Sequence, residues 1–169
     1  VDYFKGKPIR VFGPDKISSK LEGSKIFTKE ICQRNNIPTS KFKICGSLNE
    51  TLNYLENSLF PLVIKADGLA SGKGVYICKN FNDAKKASEE IFNGKFGIAE
   101  QILIEEFLDG EEMSYFIVTD GKNYKFFGSA QDHKRLKEND EGPNTGGMGA
   151  YSPAPIITNI IEKKIIKKI

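Results

Sequence analysis

Apolar residues recur along the chain at two periods, and the alternation of these periods outlines its elements. Over residues 21–35, Ile26, Phe27 and Ile31 form a stripe at helical spacing, which Asn36-Ile37-Pro38 ends. Ser47-Leu48-Asn49-Glu50 reads as a capping box, in which the Ser47 hydroxyl serves an orphan backbone N–H. Leu48, Leu52, Leu55 and Leu59 predict the buried face of the helix that follows. A third helix is expected over residues 83–93, with Gly94 at its C-terminal position. Ile157, Ile161 and Ile165 recur every four residues with lysines between them. That pattern is still helical at Ile169, and the chain opens on Val1, so the expectation is a piece of a longer protein.

Short runs rich in β-branched and aromatic residues predict strands at 9–12, 62–64, 75–78, 102–107, 113–118 and 124–129. Gly13-Pro14 closes the first, and Asp120-Gly121 supplies the turn between the last two. A long polar, glycine-rich stretch occupies 131–155. Strands alternating with helices point to an α/β or α+β chain. A composition shift near 37–39 marks the edge of a small subdomain whose other edge falls near 106–110.

Length and composition narrow the class. With 169 residues, 39% hydrophobic and 28% charged, the chain can bury a core and is not globally disordered. A net charge of +3 suits anionic small molecules and does not demand nucleic acid. Cys32, Cys45 and Cys78 form no CxxC pair, and His133 is the only histidine, so structural zinc and a disulfide framework are poorly supported. Three idle thiols in a reducing cytosol are expected. No apolar run approaches the ~20 residues of a membrane helix, and no signal peptide opens the chain.

Candidate chemistry concentrates in Lys65-Ala66-Asp67-Gly68-Leu69-Ala70-Ser71-Gly72-Lys73-Gly74-Val75. A phosphate cradle needs backbone N–H groups free to point at oxygens, hence glycines, and gains from a nearby lysine. The spacing is not that of a P-loop, which needs GxxxxGK followed by Ser or Thr and opens a helix, nor that of a dinucleotide fingerprint. What remains is a glycine-rich flap joining two antiparallel strands, weakly ordered over 70–74, able to fold over a triphosphate. The same residues also fit a hairpin loop whose lysines only solubilise it. Lys65, at the end of an apolar strand, must either reach solvent or hold an anion. Glu105-Glu106-Phe107-Leu108-Asp109-Gly110-Glu111-Glu112 reads as an acidic turn or as a purine-nucleoside edge. In the second reading strand-edge backbone groups would recognise adenine, and a carboxylate further on would take the ribose hydroxyls.

Five segments in order, LEGSK at 21–25, KADGLASGKGV at 65–75, EEFLDGEE at 105–112, QDHKR at 131–135 and GPNTGGMGAYSPAP at 142–155, resemble the phosphoribosylamine–glycine ligase family of ATP-grasp enzymes. The resemblance implies a partial ATP-grasp fold. Residues 1–36 would be the end of a preceding N-terminal domain and the start of the ATP-grasp body, 37–108 a lid carrying the glycine-rich hairpin flap, and 109–169 a truncated part of the body. It implies ATP phosphates at Lys25 and Lys65, beneath a flap that includes Gly68, Ser71, Gly72, Lys73 and Gly74. Adenine would be held by Glu105, the Glu106 carbonyl and the Leu108 N–H, and the ribose by Glu112. Asp132, His133, Lys134, Arg135, Asn144, Thr145, Gly146 and Gly147 would face glycine and 5-phosphoribosylamine.

The reaction so implied is ATP-dependent ligation through a glycyl phosphate, in purine biosynthesis. It is carried out in the cytoplasm by a monomer acting on small molecules, without nucleic acid or membrane. ATP and Mg²⁺, or Mn²⁺, are the implied cofactors. The family's metal ligands lie in a segment like EFNxRxGDPE, which does not occur here, so no residue of this chain is assigned to metal and no catalytic side chain is named. Rival readings are another ATP-grasp carboxylate–amine ligase or carboxylase and, for this chain by itself, a non-catalytic nucleotide-binding module.

Overall fold

Helix caps written into the sequence punctuate the chain. The computed structural model describes residues 1–69, 74–138, 141–145 and 148–169, with the side chains of Arg135, Pro143 and Asn144 outside that description. Two units emerge, Val1–Leu108 and Asp109–Ile169.

The first unit runs α1 (Lys20–Gly23), α2 (Lys25–Arg34), β1 (Phe42–Cys45), α3 (Leu48–Leu55), β2 (Leu62–Ala66), β3 (Val75–Cys78), α4 (Phe81–Phe92) and β4 (Ile102–Glu106). Its four strands form one antiparallel sheet in the order β1-β4-β2-β3. Alternation along β2 buries Leu62, Ile64 and Ala66. These join Ile102 and Ile104 of β4, Leu55 of α3, and Ala84, Ala87 and Ile91 of α4 in one core. Because strand side chains alternate faces, Lys65 and Glu105 point to the other side of the sheet. There α2 brings Lys25 and Lys29. Cys45 and Cys78 are buried, and loss of hydration raises both thiols, Cys78 to about 11.

Local chemistry explains the boundaries. Ser47 accepts from the Glu50 N–H at 3.2 Å, and Glu50 returns the contact by accepting from the Gly46 N–H at 2.9 Å. Asn80 caps α4 by accepting from the Asp83 N–H at 2.9 Å, so that helix starts two residues before the expected 83. The helix expected over 21–35 is divided: Ser24 is extended (φ −141°, ψ 117°) and caps α2 through the Phe27 N–H at 3.1 Å. Residues 9–12 form no strand. Ile9, Val11 and Phe12 are exposed, and no described segment pairs with them, so their β propensity finds no ladder. Leu59 lies beyond the end of α3 and is 90% exposed, and Thr51 takes its expected place on the buried face.

The second unit contains β5 (Ser114–Thr119), β6 (Tyr124–Asp132), β7 (Arg135–Lys137), β8 (Glu141–Asn144), β9 (Ala150–Tyr151) and α5 (Asn159–Lys168). One sheet is ordered β5-β6-β9, and β7 pairs with β8. In the β5–β6 turn the Asp120 carboxylate accepts from the Lys122 and Asn123 N–H groups at 2.9 and 2.6 Å, and Gly121 takes the left-handed conformation (φ 88°). Tyr115 of β5 donates to Glu162 of α5 at 3.0 Å. Ile157 precedes this last helix, which Thr158 caps.

Candidate functional site

In the first unit, charge gathers on the sheet face opposite the core. Glu105 is 3% exposed, which would be costly for an unpaired carboxylate. One oxygen, Oε1, pairs with the Lys29 ammonium and accepts from the Ser40 hydroxyl at 3.1 Å, and the other, Oε2, pairs with Lys65. Burial pushes the carboxyl up, but hydrogen bonds from Lys29 and then Lys65, with their charges, outweigh it and hold the group below its ordinary range. Two lysines against one carboxylate leave one net positive charge.

The neck of the glycine-rich loop is tied down beside this cluster. The Lys25 ammonium donates to the Ala66 and Gly68 carbonyls at 3.0 and 2.7 Å. Asp67 accepts from the Ser24 hydroxyl at 2.9 and 3.2 Å and from the Ile26 N–H at 3.1 Å, placing a negative charge at the N-terminus of α2. On the far side, the Ala66 N–H donates to the Gly74 carbonyl at 2.8 Å. Lys25, Lys65, Gly68 and Gly74 thus meet at one neck. Ser71, Gly72 and Lys73 lie outside the described residues, as do residues 70–73 of the stretch expected to be weakly ordered.

The residues expected around adenine are placed differently from one another. The Glu105 side chain pairs with Lys29 and Lys65, and its backbone lies in the middle of the sheet between Phe42 and Val63. Glu106 exchanges contacts with Lys41: its carboxylate accepts from the Lys41 N–H at 2.8 Å, and its own N–H donates to the Lys41 carbonyl at 3.0 Å. Leu108 is 65% exposed, and its N–H has no partner among the described residues. Sequence reasoning missed Lys29 and Ser40. Lys29 stands four residues after Lys25 and hence on the same helix face, a signal that was available. Ser40 carried none.

In the second unit, Lys134 bridges Glu112 and Asp132, at 3.1 Å from each. The hydrogen bond to Asp132, opposed by burial and aided by Glu112, holds the ammonium above its ordinary range. The backbone around it is closely bonded. The His133 N–H donates to the Gly149 carbonyl at 3.1 Å, the Thr145 hydroxyl to the His133 carbonyl at 2.6 Å, and the Thr145 N–H to the Lys134 carbonyl at 3.1 Å. Gly149 is left-handed (φ 86°), and a Cβ there would sit 3.3 Å from the His133 ring. That ring lies 5.3 Å from Tyr151, whose hydroxyl donates to the buried Gln131 at 2.6 Å. Arg135 and Asn144 are paired in register across β7 and β8. Gly146 and Gly147 lie outside the described residues. The structure therefore brings together Glu112, Asp132, His133, Lys134 and Thr145. Among the described residues no group of three or more His, Cys, Asp or Glu side chains is arranged to hold a metal ion.

Comparison with known proteins covers both units. Residues 23–169 match the family described as phosphoribosylglycinamide synthetase, ATP-grasp (A) domain. The phosphoribosylamine–glycine ligase of Haemophilus influenzae is 47% identical across 100% of this chain and 40% of its own length. That of Mesorhizobium japonicum is 47% identical across 99% of this chain and 40% of its own. The crystal structure of the Thermotoga maritima phosphoribosylamine–glycine ligase superposes with a TM-score of 0.86 at 36% identity, over 97% of this chain and 42% of that one. D-Alanine–D-alanine ligase from Helicobacter pylori shares the fold alone, with a TM-score of 0.68 at 21% identity over 99% of this chain and 50% of that one. The chain spans about two fifths of the length of the curated relatives it matches.

Proposed function

The chain belongs to the phosphoribosylglycinamide synthetase ATP-grasp (A) domain family, and from that membership we propose that the protein joins glycine to 5-phosphoribosylamine with cleavage of ATP. The glycine carboxylate attacks the γ-phosphorus of ATP, giving glycyl phosphate and ADP. The amine of 5-phosphoribosylamine then attacks the acyl carbon, phosphate leaves, and the amide of glycinamide ribonucleotide forms. Neither step needs a side-chain nucleophile. Both need anions brought together and oriented, which is a task for cations and backbone donors.

The observation that carries this reading is the meeting of Lys25 and Lys65 at the neck of a glycine-rich hairpin. In this reading the two lysines take the ATP phosphates. Lys25 exchanges two neutral carbonyls for charged oxygens, a stronger charge-assisted bond. The Leu108 N–H and the Glu106 carbonyl serve adenine. Glu112 serves the ribose. Asp132, His133, Lys134, Arg135, Asn144, Thr145, Gly146 and Gly147 serve glycine and phosphoribosylamine.

A divalent ion, Mg²⁺ or Mn²⁺, belongs to the reading as a cofactor of the whole protein. The described residues offer no ligand cluster for it, so no step here runs through it. No described helix is long and apolar enough to cross a membrane, and the reading is of a cytoplasmic, monomeric enzyme. ADP release by the whole protein, measured with glycine and freshly made phosphoribosylamine added singly and together, tests the proposal. Release that needs both is the expected result. Release supported equally by another carboxylate–amine pair in their absence would assign the protein to a different ligase.

A further inference from the structure

We infer that Lys29 is a positioning residue of the nucleotide site, holding the buried Glu105 carboxylate so that Lys65 keeps donors and net charge for phosphate. The inference rests on the reading of Lys65 as a phosphate contact. An ammonium group has three N–H donors. Those of Lys29 all have protein partners: Glu105, the Ser40 hydroxyl at 2.6 Å and the Thr39 hydroxyl at 2.6 Å. The Lys29 side chain is only 12% exposed. Nothing is left on it for a ligand.

Lys65 differs on each count. Its side chain is 28% exposed, and among the described residues its ammonium has one partner, Glu105 Oε2. Two donors remain. Lys29 and Ser40 together occupy Oε1, so Glu105 draws on Lys65 through the other oxygen alone. The charges follow the same division. With Lys29 present the cluster is net positive by one. Without it a buried carboxylate and Lys65 cancel, and an arriving phosphate meets a neutral pair held by a strong ionic bond.

The test is ATP titration of the whole protein by calorimetry, with thermal melts to confirm folding. Lys29→Met is expected to weaken ATP binding by roughly tenfold, the scale of one charge-assisted contact. Lys29→Arg should keep most of the affinity, since the charge is preserved. The decisive variant is the double substitution Lys29→Met/Glu105→Gln, which removes the carboxylate charge along with the lysine. Recovery of most of the lost affinity is expected, whereas a purely structural role for Lys29 predicts further loss. Should Lys29→Met not fold, the double variant and Lys29→Arg still decide. A double variant that binds ATP tenfold or more weakly than wild type overturns the inference, and so does wild-type affinity in Lys29→Met alongside weakened binding in Lys65→Ala. Wild-type affinity in Lys65→Ala would instead remove the phosphate reading itself.

Discussion

Lys65 sits where its fate depends on one neighbour. A lysine at the end of an apolar strand must find an anion or water, and here Glu105 is the anion. Replacing Lys65 by Ala in the whole protein should cost on the order of 1.5–3 kcal/mol in the ATP-dependent kinetic term, roughly ten- to hundredfold. Steady-state rates at varied ATP measure it, and unchanged kinetics in a folded variant would exclude the contact. Glu105 makes a separate prediction about acid. Its carboxyl titrates below the ordinary 4.5 in the folded chain, because hydrogen bonds from Lys29 and Lys65 overcome burial. A folded value below the unfolded one means that the unfolded state binds the proton more readily. The contribution to stability is therefore complete above about 4.5 and is lost as pH falls through the folded value. Melting temperatures followed from pH 7 downward should fall more steeply for wild type than for Glu105→Gln, and parallel curves would show that the pairing adds no net stability.

At the scale of elements, caps and core residues contribute differently. Ser47 satisfies one backbone N–H at the exposed start of α3, and Ser47→Ala should lower stability by about 1 kcal/mol. Ile91 is fully buried in α4 against the sheet, and Ile91→Ala should cost about 2–5 kcal/mol, since a cavity adds to the lost transfer energy. Leu59→Ala, at an exposed position, should fall within about 0.5 kcal/mol of wild type. Denaturant unfolding of the three variants gives the order, and a Leu59 effect as large as that of Ile91 would contradict the assigned end of α3. The caps at Ser47 and Thr158 and the turn at Asp120 use partners within four residues, so their signals are local. Residues 9–12 had the composition of a strand but find no partner among the described residues, and no property of four residues reveals that.

For the molecule as a whole, each of the two units holds its own cluster of candidate residues. The first holds the cations and the loop neck, and the second holds Glu112, Asp132 and Lys134. The 169-residue chain alone is expected to bind ATP weakly and without metal sensitivity, and to release no ADP that depends on glycine and phosphoribosylamine. The segment like EFNxRxGDPE, in which the family resemblance implies the metal ligands, does not occur in these 169 residues, and phosphoryl transfer to a carboxylate without a divalent ion would bring like charges together. ADP formation from this chain that required both substrates would place the metal site within it.

Short-range order was determined by the sequence itself. The hairpin of β2 and β3, the capping of α3, the Asp120 turn and the ordered run of family segments can all be recognised from residues near one another, because backbone conformation responds first to its neighbours in the chain. Only the tertiary structure decided which charges meet. Ser40 and Glu105 are 65 positions apart, yet they share a hydrogen bond because β4 lies between β1 and β2 in the sheet. That strand order sets Glu105 between β1 and β2, and the alternation of side chains along β4 turns it away from the core toward Lys29 and Lys65. Once buried there, the carboxylate needs cations to offset its lost hydration, and Lys29 and Lys65 supply them.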